Sequence, residues 1–406
     1  MIVILYSPAS HAIAQTIQAD LETAFNGHVG ITTQSADTDS AWPAAVSWDD
    51  LLLVVYDKDT FPATGKKYIS DYLAARSKAS LLPVAIDLNH TKPPEPADGI
   101  KALGYDDAAK GTTGRLAHRA GCILGLRLQG RDSKIFISYR ASDGKFIADQ
   151  LYDHFISLGH RPWKDEAREL DGDTMILPGE KVQDEIDMAL ADASLVLLLD
   201  TPDAPSSKWI RLEVDTADGQ LLPVLPIVFQ KQDDDKKGPR FRSLLALRRW
   251  IPLDLPDAKA SPLDDAQLEE IVTAAEKYQC EIFQRKCRVP FIVEKHFTLQ
   301  GFDWNEVDKR LLMFESLRKQ NMRLRTRVLS HCSIFDQIHG PAVAKFRAFI
   351  KTTTPSNYSL FIYDGELLSE AEIEDIVQSE AEELIILHHQ ELASLLSSNF
   401  MKLEAA

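Results

Sequence analysis

Glu213 stands four residues after Trp209 in a helical pattern, Lys208–Ala217, so the two side chains share one helix face. A carboxylate can stabilise positive charge that develops in a reaction, and an indole beside it can shield the site from water. The ordinary role of a helical glutamate is a solvated surface position, and Trp209 can equally pack in a core. Arg140 lies just past an apolar run, Ile135–Tyr139, and its forked donors match phosphate geometry. Asp143 follows closely, and its simplest role is to cap the next helix. Residues 164–180 carry Asp165, Glu166, Glu169, Asp171, Asp173 and Glu180. That density could hold a metal, but a solvated acidic loop is the simpler reading. His388-His389 and the pair His331 and Cys332 have no ligand-pair spacing and are read as strand-end residues, so no metal is expected. Arg323, Arg325 and Arg327 would share one strand face, fit to meet phosphates or to form a salt-bridged surface.

Several elements must position these groups. Three apolar runs, Ile135–Tyr139, Leu195–Leu199 and Leu222–Phe229, have the length of strands buried on both faces. Amphipathic patterns lie between them. Phe146, Leu151, His154 and Phe155 fall at roughly helical spacing, and Gly159 stops that helix where a C′ glycine is expected. Strands alternating with helices predict a parallel sheet covered on both faces. Ligands then bind beyond the carboxyl ends of the strands, the first of which is Ser138-Tyr139-Arg140.

Residues 1–130 repeat this plan. Ile2–Tyr6, Leu51–Tyr56 and Leu81-Leu82-Pro83-Val84 read as strands, and Ala12–Phe25 and Leu116–Leu126 as helices. The interval from the second to the third strand is about 30 residues here and about 26 in the central stretch, and Leu81-Leu82-Pro83-Val84 echoes Leu221-Leu222-Pro223-Val224. Asp57-Lys58-Asp59-Thr60-Phe61-Pro62 corresponds to Asp200-Thr201-Pro202. Where the central stretch has Trp209 and Glu213, the first copy has Tyr68 and Tyr72, and tyrosine supplies no carboxylate. An unrelated flavodoxin-like unit would show the same strand plan. Residues 1–130 are therefore read as a non-catalytic scaffold, joined by the short linker 129–132 to a domain at 133–255. A connector and a C-terminal α/β module fill 256–406. There, Asp264-Asp265 cap a helix over about 266–285. Strands are expected at Phe291–Glu294, Val328–His331, Leu360–Tyr363 and Leu384–Leu387. Helices are expected at Trp304–Asn321, Ala342–Ile350 and Glu370–Glu380.

A net charge of −16 argues against nonspecific binding to nucleic acid or anionic membrane. No apolar run reaches the roughly 18 residues of a spanning helix, and the first residues read as a buried strand rather than a signal peptide. Cys122, Cys280, Cys287 and Cys332 match no zinc pattern and are expected as buried thiols in a reducing, cytoplasmic setting.

The central stretch, about 120 of 406 residues, resembles a Toll/interleukin-1 receptor (TIR) domain. The resemblance rests on five elements in order. They are Lys134-Ile135-Phe136-Ile137-Ser138-Tyr139-Arg140 with Asp143; Gly159, Trp163 and Asp165; Leu177-Pro178-Gly179-Glu180; Ile186 to Leu190 with Ala193; and Ser207-Lys208-Trp209-Ile210-Arg211-Leu212-Glu213. It implies an α/β, flavodoxin-like fold in tandem with the first copy. It further implies cleavage of the nicotinamide–ribose bond of NAD, with NAD as substrate and Glu213 as the catalytic residue. Phe136, Ser138, Arg140 and Trp209 would contact the dinucleotide, with Phe136 equally at home in the core.

The family also implies assembly into a homo-oligomer or filament, with the loop ending at Pro178-Gly179 completing a neighbour's pocket. Bacterial immune effectors of this type deplete NAD when triggered by an activating partner or nucleotide signal. Two other readings share these residues. One is an adaptor that makes TIR contacts without turnover, for which Glu213 is unnecessary. The other is a synthase of a cyclic ADP-ribose signal.

Overall fold

A computed structural model describes residues 1–39, 50–58, 61–74, 80–87, 89, 92–106, 112–127, 134–164, 189–190, 193–219, 222–230, 238–241, 250–254, 262–299, 302–308, 311–316, 331–335, 359–363 and 384–392. The first sheet contains β1 (Ile2–Tyr6), β2 (Ile31–Ser35), β3 (Leu51–Tyr56), β4 (Ser80–Ala85) and β5 (Leu103–Gly104). Its order is β2-β1-β3-β4-β5, with every pair parallel. Every residue of β1 and β3 is buried, as unbroken apolar runs require when helices cover both faces. The helices are α1 (His11–Ala24), α2 (Ala63–Ala74) and α3 (Thr112–Arg127).

The second sheet contains β6 (Lys134–Ser138), β7 (Pro162–Lys164), β8 (Ala193–Asp200), β9 (Val224–Gln230) and β10 (Ile251–Asp254), in the order β10-β9-β8-β6-β7. Read from the β7 edge, this is the strand order of the first sheet, and again all pairs are parallel. The protein is thus an α/β protein with two parallel five-stranded sheets in tandem. Helix α4 (Ala141–Ser157) follows β6, and α5 (Lys208–Gly219) follows β8. Gly159 has φ +82°, the left-handed conformation that a C′ residue needs, and it ends α4 as expected.

The remainder departs from expectation. Helix α6 runs Asp265–Leu299, so the strand expected at Phe291–Glu294 is helical. Its short apolar run fits either period, and length alone did not separate them. Asp264 does cap this helix: its Oδ1 accepts from the Gln267 amide at 2.8 Å, and Gln267 Oε1 accepts from the Asp264 amide at 3.0 Å. The helix expected over Trp304–Asn321 begins instead as an antiparallel hairpin, β11 (Phe302–Asp308) and β12 (Leu311–Ser316). Alternation in Phe302-Asp303-Trp304-Asn305 is a strand signal that the helical reading overlooked. β13 (His331–Phe335), β14 (Ser359–Tyr363) and β15 (Leu384–His388) complete a mixed sheet in the order β11-β12-β13-β14-β15. Of the strand expected at Val328–His331, only His331 lies among the described residues, and it opens β13. The helices expected at Ala342–Ile350 and Glu370–Glu380 lie outside the described residues.

Two compact units result. One comprises Met1–Glu213, Val224–Arg240 and Trp250–Gln284; the other Val214–Pro223, Phe241–Arg249 and Arg285–Ala406. Within the first, the opening turns of α6 pack on α3. A Cβ on Gly121 would lie 2.4 Å from Cys280 Sγ, so this helix crossing requires glycine. Phe25 and Phe283 meet edge to face at 5.6 Å. Glu276 Oε1 accepts from Arg119 Nε at 2.6 Å and pairs with His160 Nε2 at 2.9 Å, all three side chains being 1% exposed.

Tyr72, which the sequence sets against Glu213, does not occupy the equivalent place: it is a structural bolt at the amino ends of β3 and β4, whereas Glu213 meets the carboxyl end of β6. Its fully buried hydroxyl lies 2.8 Å from the Ser80 carbonyl and 3.1 Å from the Asp50 carbonyl, and accepts from the Ser80 amide at 3.2 Å. Tyr72→Phe leaves these backbone groups short of a partner. It is expected to lower stability by about 1–3 kcal/mol in chemical denaturation, without altering any turnover.

Candidate functional site

In the second sheet the order of winding reverses at β6: β7 lies on one side of it and β8 on the other. The carboxyl ends of β6 and β8 therefore frame the crevice where ligands bind in such sheets. Ser138, Tyr139 and Arg140 occupy the β6 end, and Asp200, Thr201 and Asp203 the β8 end.

Glu213 reaches this crevice from α5. Ile210, Val214 and Ala217 form the buried stripe of that helix, and Arg211, Leu212 and Asp215 are exposed. Glu213 falls on the buried stripe and is 1% exposed. Ser138 Oγ donates to Glu213 Oε2 at 2.6 Å, joining the end of β6 to α5. The stripe itself was the signal in the sequence that this glutamate points inward. Trp209, one turn earlier, is half-buried.

Phe136 lies two residues before Ser138 and so on the same sheet face. It is 1% exposed, and its ring stacks on Trp163 at 4.7 Å between centroids. Arg140 remains partly exposed. Its Nη1 lies 3.2 Å from Asp203 and 3.6 Å from Asp143, so two carboxylates hold the guanidinium at the strand end. The capping role expected of Asp143 is not found: Arg140 is the N-cap of α4 and no side chain caps it. Asp143 sits within the first turn, where its carboxylate faces Arg140.

Asp200, Thr201 and Arg240 also gather at these strand ends, and sequence reasoning did not single them out; the first two were noted only as part of the repeat. Asp200 and Thr201 are fully buried. The Arg240 amide donates to Asp200 Oδ2 at 2.6 Å, and its Nη1 donates to the Asp200 carbonyl at 2.7 Å. Its Nη2 donates to the Phe229 carbonyl, tying the ends of β8 and β9 together. Burial pushes the Asp200 carboxyl up to about 6, against the hydrogen bond and charge of Arg240. An aspartate closing an eight-residue buried strand is the signal that could have singled it out.

The first sheet has a different constellation at its equivalent edge. Asp57 Oδ2 accepts from Ser7 Oγ at 3.2 Å and from Ser10 Oγ at 3.1 Å. Asp165, Glu166, Glu169, Asp171, Asp173, Pro178, Gly179 and Glu180 lie outside the described residues, as do Arg323, Arg325 and Arg327. His388 ends β15, as read from the sequence. Among the described residues no group of His, Cys, Asp and Glu could hold a metal ion, and no helix is long and apolar enough to cross a membrane. Cys122 and Cys280 are buried free thiols.

Residues 135–272 match the family model of the TIR domain. A comparison with curated proteins finds no match. The matched span runs from β6 into α6 and includes Ser138, Arg140, Asp200, Trp209 and Glu213.

Proposed function

Taking the TIR domain at residues 135–272 as the premise, we propose that the chain cleaves the nicotinamide–ribose bond of NAD. It would do so as an assembly-activated effector of the bacterial immune type. The observation that carries this reading is Glu213, buried on an otherwise apolar helical stripe and oriented by Ser138 at the sheet's switch point. An acidic side chain is costly in such a position, and the fold alone would be served better by an apolar residue.

In the reaction, breaking the C1′–nitrogen bond builds positive charge on C1′ and the ring oxygen. Nicotinamide leaves as a neutral molecule because its ring nitrogen is cationic in NAD, so no acid is needed to protonate it. One carboxylate facing C1′ then suffices to stabilise the oxocarbenium-like transition state. Glu213 supplies it, and Ser138 holds its orientation. Water adds at C1′ and loses a proton, giving ADP-ribose. Trp209 would shield the site, and Phe136 would back the nicotinamide side. Arg140 would exchange its carboxylate partners for the diphosphate. The burial of Glu213 supports activation by rearrangement, since a closed site admits no dinucleotide.

The purified full chain, incubated with NAD at rising protein concentration and with a crowding agent, is expected to release nicotinamide and an ADP-ribose species. Both are read by chromatography, and the rate should rise more steeply than concentration. Intact NAD under every assembly condition would overturn this reading in favour of the adaptor.

A further inference from the structure

Paired residues of a parallel ladder project to the same sheet face, and faces alternate along each strand. Ser138 pairs with Leu198, so Asp200, two residues on, shares the face of Ser138. Tyr139 and Leu199 lie on the opposite face, both against Gly144 of α4. Strand spacing and rise put the Asp200 and Ser138 backbones roughly 8 Å apart. Asp200 therefore stands beside the Ser138–Glu213 pair, one step nearer the crevice. Two of its neighbourhood's polar atoms are unsatisfied: Asp200 Oδ1 and Thr201 Oγ1 are buried without a hydrogen-bond partner. Arg240 engages Oδ2 and the backbone of Asp200, and its Nη1 comes no closer to Oδ1 than 3.8 Å. Buried polar atoms of native proteins are nearly always satisfied, so two adjacent orphans at a ligand crevice point to a partner that arrives with the ligand.

We infer that Asp200 and Thr201 form a second polar subsite, distinct from Glu213, that takes ribosyl hydroxyls of the bound nucleotide. The Asp200 carboxylate suits a sugar diol, since it accepts from hydroxyls, and Thr201, the next residue of the chain, lends a hydroxyl at the same strand end. This assignment rests on the NAD-cleaving reading. Arg240 anchors the carboxylate from the far side and acts as a positioning residue. The raised Asp200 carboxyl fits a group retained at a cost to stability.

The test compares the full chain with Asp200→Asn and Thr201→Val, each under the assembly conditions that open the site, by calorimetric titration with ADP-ribose and, separately, nicotinamide. Asp200→Asn is expected to weaken ADP-ribose binding about tenfold and leave nicotinamide binding unchanged. Thr201→Val should weaken ADP-ribose in the same direction. Thermal unfolding supplies a readout independent of ligand. Because burial raises the Asp200 carboxyl, its ionised form costs stability as pH rises through about 6. Asp200→Asn should thus melt no lower than wild type at pH ~7.5, and any gain should shrink toward pH ~5. Undiminished ADP-ribose affinity in Asp200→Asn, with wild-type turnover of NAD intact, overturns the subsite and spares the proposed function. A lowered melting temperature at neutral pH makes Asp200 a structural tie for Arg240 and likewise overturns it. A wild-type chain that neither binds ADP-ribose nor consumes NAD removes both.

Discussion

Glu213→Gln is expected to reduce NAD turnover by about 10²–10³, while the fold and the capacity to assemble persist. The two side chains are nearly isosteric, and the amide oxygen can still accept from Ser138 Oγ, now 2.6 Å from the carboxylate. What disappears is the negative charge facing C1′. Because that charge acts in the transition state, the loss should fall on kcat with little change in KM. Ser138→Ala is the comparator. It keeps the charge but frees its orientation, so the reduction in kcat should be smaller, about tenfold. Steady-state kinetics with nicotinamide as the measured product separates the two. A Glu213→Gln protein within a few fold of wild type would move the chemistry to another carboxylate. Asp200 would then be the first to examine.

Glu276→Gln is expected to lower the stability of the unit holding both parallel sheets by about 3–5 kcal/mol, read from the first transition in urea unfolding. Burial alone would raise the Glu276 carboxyl, but His160 and Arg119 outweigh it and hold the group below the ordinary range. Removing its charge leaves the Arg119 guanidinium, 1% exposed, without its counter-ion. The cost is that of a stranded buried charge and exceeds the net worth of the pair. Arg119→Met combined with Glu276→Leu should recover most of the loss, because a well-packed apolar pair avoids desolvation altogether. Failure of the double variant to recover would mean that the remaining partner, His160, depends on the charges for its own placement.

Much of this protein was legible before any coordinates. The apolar runs at Ile2–Tyr6, Leu51–Tyr56 and Ile135–Tyr139 read as buried strands, because unbroken apolar segments of strand length, alternating with helical patterns, suit a sheet covered on both faces. Alternation with amphipathic helices then dictated parallel sheets, and a left-handed glycine at 159 marked the end of α4. The spacing of Trp209 and Glu213 placed them on one helix face, and the order of motifs around them matched a TIR domain. These are local properties: period, length and backbone preference act within a few residues.

Tertiary structure decided the rest. The direction in which Glu213 points, and its bond to Ser138 across 75 residues of sequence, follow from how α5 lies on the sheet. Arg119, Glu276 and His160 meet only because two helices and a turn from distant parts of the chain converge, and no pattern within one segment foretells such a meeting. The same limit explains the errors near the carboxyl terminus. Phe291-Ile292-Val293 suits a strand or a buried helix equally, and its continuity with the helix that begins at Asp265 settles the matter. Phe302–Asp308 carries a local alternation that favours a strand, and its pairing with Leu311–Ser316 fixes it as one. Asp200 read as the end of a repeat unit, and only the register of β6 against β8 puts it beside the Ser138–Glu213 pair.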